Sequence, residues 1–80
     1  MKTRLQAKRE EKGYTQKQLS INTNIPLRTL QNLEIGQNKI DSLKIKQLLI
    51  LCIELECFPE DILEDEENRY YFTLMHIYKT

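Results

Sequence analysis

Arg28, Gln31 and Asn32 are the residues of this chain with the most specific recognition chemistry. A guanidinium can bond O6 and N7 of guanine bidentately, and a side-chain amide can pair with N6 and N7 of adenine. Arg28 and Asn32 stand four apart, so a helix would place them on one face, with Gln31 beside them. On these residues alone a solvated helix face is the better explanation, because a soluble helix turns polar side chains outward anyway.

Other chemistries find no support. Cys52 and Cys57 are five apart and His76 lies nineteen residues further on, which matches no zinc spacing. In a chain without export signals the two cysteines read most simply as buried thiols. Gly13 and Gly36 are the only glycines, so there is no glycine-rich phosphate loop, and Ser20 and Ser42 as the only serines make no Ser/His/Asp set. Neither an enzyme, a metal nor a cofactor is expected. The longest apolar run, residues 48–53, is six long, far short of the roughly 20 residues of a membrane helix. No apolar stretch follows the charged start, so no secretion signal is expected and the chain reads as cytoplasmic.

The elements that must position these groups are helical. Eighty residues allow one domain, near the lower size limit for a core without staples. With 40% hydrophobic and 30% charged residues and only two Gly and two Pro, the chain is neither disordered nor low-complexity. Twelve Leu, nine Ile, six Gln and no Val favour helices over sheets. The net charge of zero conceals a polarity: residues 1–39 carry eight Lys/Arg against three Glu, and residues 40–80 carry four Lys/Arg against nine Asp/Glu. One basic side can face a polyanion whatever the total, although small proteins are often lopsided by chance.

Residues 3–12 predict a first helix, capped by Thr3 and ended by a left-handed Gly13. Thr15 and Gln18 form a capping box, with Tyr14 and Leu19 as its hydrophobic staple, so a second helix starts at Gln16 and ends near Thr23. Asn24 suits a tight left-handed turn, Ile25 would plug the gap behind it, and Pro26 suits the first turn of a third helix. That helix runs from Leu27 until Gly36 stops it, with Leu30 and Leu33 inward. Ser42 is expected to cap a fourth helix reaching about Glu56, apolar nearly all round and therefore buried on more than one side. Phe58, Pro59, Glu60 and Asp61 open a brief fifth helix. Residues 65–68 form a polar break. Beyond them residues 70–78 are aromatic-rich and read as an extended strand, with a helix as the rival.

Two short helices joined by a polar turn, the second presenting Arg, Gln and Asn outward, make a helix-turn-helix. Residues 4–63 resemble the Cro/repressor class, the lambda-repressor-like XRE family. The residues that carry the resemblance are Arg9, Gly13, Thr15, Gln16, Leu19 and Ile25. It continues through the run from Thr29 to Glu34, Gly36, and the closing segment from Phe58 to Ile62. The resemblance implies an all-α, five-helix fold over residues 1–65 with a C-terminal extension, residues 66–80. It implies a double-stranded DNA partner, with the third helix in the major groove.

Residue by residue, the family pattern makes Leu27, Arg28, Gln31 and Asn32 base-facing. Thr15, Gln16, Lys17, Gln37, Asn38 and Lys39 become phosphate-side contacts, which position without reading sequence. Arg9 and Glu34 become an internal ion pair. The pattern is not followed everywhere. Ser20 stands where alanine is usual, with a hydroxyl that can bond back to a helical carbonyl. Asn24 replaces glycine, Pro26 replaces a hydroxyl residue, and Leu27 replaces a polar one, where it is either a thymine-methyl contact or a leucine without a role. The resemblance also implies a homodimer. The apolar fourth helix and residues 69–80 are the candidate surface, with the extension either packed on the fourth helix to complete it or merely capping the monomer's core. A separate reading makes the chain an antitoxin or interaction module whose extension grips a partner protein.

Overall fold

Each of the first three helices begins and ends where short-range chemistry dictates. The computed structural model describes residues 2–79. Helix α1 spans Arg4–Glu11, and the Thr3 hydroxyl accepts from the Gln6 amide at its start. It closes through Gly13 at φ 80°, a left-handed conformation that glycine adopts without a side-chain clash. Helix α2 spans Gln16–Thr23 behind a complete capping box: the Gln18 amide donates to Thr15 Oγ1 at 3.0 Å, and the Thr15 amide donates to Gln18 Oε1 at 2.9 Å. Asn24 makes the turn at φ 59°. Helix α3 spans Leu27–Glu34, so Pro26 sits at the cap rather than inside the first turn. Gly36, at φ 78°, ends the helix, and the Gln37 and Asn38 amides fold back onto the Asn32 carbonyl.

The turn between α2 and α3 is held by hydroxyls. Ser20 does not bond back along its helix; its Oγ reaches forward across the turn to donate to the Ile25 carbonyl at 2.6 Å. It is Thr23 that bonds back along α2, its Oγ1 donating to the Leu19 carbonyl at 2.7 Å. Ile25 is the plug the sequence suggests, 1% exposed between the flanking helices. Truncating it to alanine would cost about 2–5 kcal/mol.

The second half departs from expectation in four places. Ser42 does not cap the fourth helix. It lies in a 3-10 turn, Ile40–Ser42, with its Oγ donating to the Lys39 carbonyl, and helix α4 spans Ile45–Leu55. Leu43 and Lys44 are extended, so the chain straightens before α4 begins and the serine is too far upstream to serve it. Nor is α4 covered all round: it buries Leu48, Leu51, Cys52 and Leu55, while Ile45, Leu49 and Ile53 stay exposed.

Helix α5, Pro59–Ile62, starts with the Phe58 amide donating to Asp61 Oδ2 at 2.9 Å. The segment read as a strand is a helix, α6, Glu66–Lys79. Asp65 Oδ1 accepts from the Glu67 and Asn68 amides to start it. Arg69, Phe72 and His76, at helical spacing, face inward. Arg69 Nε donates to the Glu60 carbonyl at 3.0 Å, Phe72 packs on the core, and His76 Nδ1 meets Glu60 Oε2. Aromatic β-preference reflects packing on a pleated neighbour. No strand exists among the described residues to supply one, so helical packing decides. The extension therefore docks chiefly on α5, not on α4.

All of this surrounds one core. Leu5 of α1, Leu19 of α2, Leu30 of α3, Leu51 and Leu55 of α4 and Ile62 of α5 are each 1% exposed or less. Each contributes about 1.5–3 kcal/mol relative to exposure. Among the described residues no helix is long and apolar enough to cross a membrane.

Candidate nucleic-acid interface

A helix that is to enter a groove needs a firm back and an open front. The back of α3 rests on one buried carboxylate. Glu34, the last residue of α3, accepts from Arg9 twice, Nε to Oε2 at 2.6 Å and Nη2 to Oε1 at 2.9 Å. Gln16 Nε2 donates to the same Oε1 at 2.9 Å, and the Thr3 hydroxyl reaches the Glu34 carbonyl at 3.3 Å. Arg9 spends a further nitrogen, Nη1, on the Tyr14 carbonyl at 2.7 Å. The forked pair is charge-assisted and planar, which fixes geometry as well as energy. Bonding to Glu34 holds the Arg9 pKa above its already high ordinary value. One side chain thus ties the end of α3 to α1 and to the first turn of α2.

A second carboxylate braces α2 from the other side. Glu54 Oε2 on α4 accepts from the Tyr14 hydroxyl at 2.7 Å and from Asn22 Nδ2 at 3.1 Å. The bond to Glu54 first, then partial burial, push the Tyr14 phenol above its usual range. Tyr14 and Asn22 bracket α2, so both of its ends are anchored.

The front of α3 is open. Arg28 and Gln31 are exposed, and Leu27 is 37% exposed. Asn32 is half-buried, on the shoulder of this face, while Leu30 and Leu33 hold the opposite side in the core. The structure therefore brings Arg28 and Gln31 together in solvent, flanked by Leu27, with Asn32 less accessible.

The candidate phosphate-side residues fall into two groups. Thr15, Gln16 and Lys17 lie at the start of α2, with Thr15 and Lys17 exposed and Gln16 half-buried. The Thr15 oxygen accepts from Gln18, which leaves its own hydrogen available, and Gln16 keeps one amide hydrogen beyond the one given to Glu34. Gln37, Asn38 and Lys39 are exposed in the loop that follows α3.

Glu54 and Asp41 do positioning that the sequence did not disclose. Asp41 Oδ1 accepts from the Glu64 and Asp65 amides at 3.0 and 3.2 Å, and Asp41 Oδ2 accepts from Asn68 Nδ2 at 3.1 Å. Burial works against this carboxylate, but the bonds from Asn68, Glu64 and Asp65 outweigh it and hold its pKa below the ordinary range. Its partners lie more than twenty residues away, so no local pattern marks it.

Compared with known proteins, residues 4–43 match the helix-turn-helix domain family, a segment that contains α1, α2, α3 and the loop carrying Lys39. No curated protein and no solved structure gives a match.

Proposed function

Because the chain belongs to the helix-turn-helix domain family, we propose that it is a sequence-specific DNA-binding transcriptional regulator of the Cro/repressor type. It inserts α3 into the major groove and acts as a homodimer. The observation that carries this reading is the asymmetry of α3: one face is locked through Glu34 to Arg9 and Gln16, and the other presents Arg28 and Gln31 to solvent. Arg28 reads guanine, Gln31 and Asn32 read adenine, and Leu27 meets a thymine methyl. Thr15, Gln16, Lys17, Gln37, Asn38 and Lys39 bind phosphates and set the register. The basic half of the sequence holds all three of these helices, so the field favours approach of the polyanion from that side.

One recognition helix reads few base pairs, and two-fold pairing places two of them about 34–36 Å apart on the duplex. Ile45, Leu49 and Ile53, each four residues on from the last, form an exposed apolar stripe along α4. Tyr70, Tyr71 and Met75 add exposed apolar surface on α6. Such surface in a domain this small supports self-association.

The test is selection of bound sites from a random duplex pool, followed by titration of the selected site. Arg28→Ala costs about 1–3 kcal/mol of binding and relaxes preference at one base position. Unchanged affinity for the selected site would remove α3 as the reading element.

A further inference from the structure

Helix α4 ends in a Schellman motif, and both residues at its closing contact are cysteines. The Cys57 amide donates to the Cys52 carbonyl at 3.0 Å, the Glu56 amide donates to the Ile53 carbonyl at 3.2 Å, and Glu56 takes the left-handed corner at φ 52°. In this motif the side chain of the last helical turn touches the one just past the corner, a contact usually made by two apolar groups. Here it is made by two thiols, and both are free.

We propose that Cys52 and Cys57 are a reversible dithiol–disulfide site, oxidised by a low-molecular-weight disulfide such as oxidised glutathione. The 6→1 backbone bond keeps the two residues adjacent, as a disulfide with Cα atoms roughly 4.4–6.8 Å apart requires. The two thiols differ in access, Cys52 being buried and Cys57 half-buried, although both lie along one surface groove with Leu49, Ile53 and Phe58. They differ in charge as well. The neighbouring Cys52 thiol is the strongest influence lowering the Cys57 pKa, with Lys8 and Lys12 of α1 adding to this. Burial and Asp61 act in the opposite direction, and the net effect is a lowered Cys57 pKa. Cys52 is pushed far up, first by the neighbouring Cys57 and then by burial.

The order of events follows. The Cys57 thiolate attacks one sulfur of the small disulfide, forming a mixed disulfide and expelling one glutathione thiolate. Cys57 is now neutral, so the negative charge that kept the proton on Cys52 is gone. Cys52 gives its proton to the departing thiolate or to water, attacks the Cys57 sulfur and expels the second glutathione. The protein loses two electrons and, counting the proton Cys57 released to water on ionising, two protons; the oxidant leaves as two thiols, one taking the Cys52 proton and the other a proton from water. The bond cross-links the last turn of α4 to the segment entering α5, away from α3.

The experiment treats the folded full chain with oxidised glutathione, blocks free thiols with iodoacetamide and maps the peptides by mass. The expected result is an intramolecular link between residues 52 and 57, independent of protein concentration, with both alkylation sites lost together and both restored by dithiothreitol. Cys52→Ala should stop at one glutathione on Cys57, and Cys57→Ala should leave Cys52 unmodified. Circular dichroism checks that each variant folds, and the wild-type map is decisive without them. Glutathione remaining on wild-type Cys57 with Cys52 still alkylatable, or links only between chains, would overturn the proposal.

Discussion

Arg9 and Glu34 face each other in a two-bond fork, Nε to Oε2 at 2.6 Å and Nη2 to Oε1 at 2.9 Å, joining α1 to the last residue of α3. Both groups are buried, so each is tolerable only with the other. Glu34→Ala leaves the guanidinium unpaired and costs about 3–5 kcal/mol; Arg9→Ala costs a similar amount. The double variant should lose less than the two single losses added together, since neither charge then remains. Urea unfolding of the four proteins measures this. Strictly additive losses would mean that the fork is not a coupled unit.

Lys17 and Lys39 are exposed cations at the start of α2 and after α3. Replacing either with alanine should weaken binding to every duplex alike and lower the salt slope by about one unit per lysine. Titrations of selected and scrambled duplexes at two salt concentrations give the slope. A loss confined to the selected site would make the lysine a base reader and not a phosphate contact.

Asp41 predicts an acid-sensitive mooring for α6. Its folded pKa lies below its unfolded value of about 3.9. The stability it contributes is therefore fully present above that value and is lost as pH falls through the lower folded pKa. Amide protection of residues 66–79, the exchange rate corrected for the intrinsic rate at each pH, should fall in that acid window as the pH is lowered from about 6. Asp41→Asn should remove this component of the pH dependence and leave residues 66–79 faster to exchange at neutral pH. Identical profiles for the two proteins would show that Asp41 does not moor the helix.

Ile53 is 76% exposed at the end of the α4 stripe. Ile53→Glu puts a charge into the proposed self-association surface without touching the core, so the variant should sediment as a monomer at concentrations where the wild type is a dimer. Its stability as a monomer should change by no more than about 0.5 kcal/mol. A wild type that is monomeric at every concentration, with or without DNA, ends the homodimer proposal.

The first three helices and the turn between the second and third were legible in the residues themselves. Thr3, the Thr15–Gln18 box, Asn24 and the two glycines act over four residues or fewer, and such bonds form wherever those residue types stand at that spacing. The Arg9–Glu34 contact was reachable only through family resemblance, because no periodicity links positions twenty-five apart.

The second half depended on packing. Residues 66–79 became a helix because α5 presents the Glu60 carbonyl and carboxylate to Arg69 and His76 at helical spacing, a partner that intrinsic preference cannot foresee. Glu56 turns a left-handed corner with no glycine to announce it, and that corner sets Cys57 against Cys52. The stripe on α4 stays exposed because the extension settled on α5 instead. Short-range hydrogen bonding is encoded residue by residue. The choice of which apolar faces meet is made only when the whole chain competes for a single core.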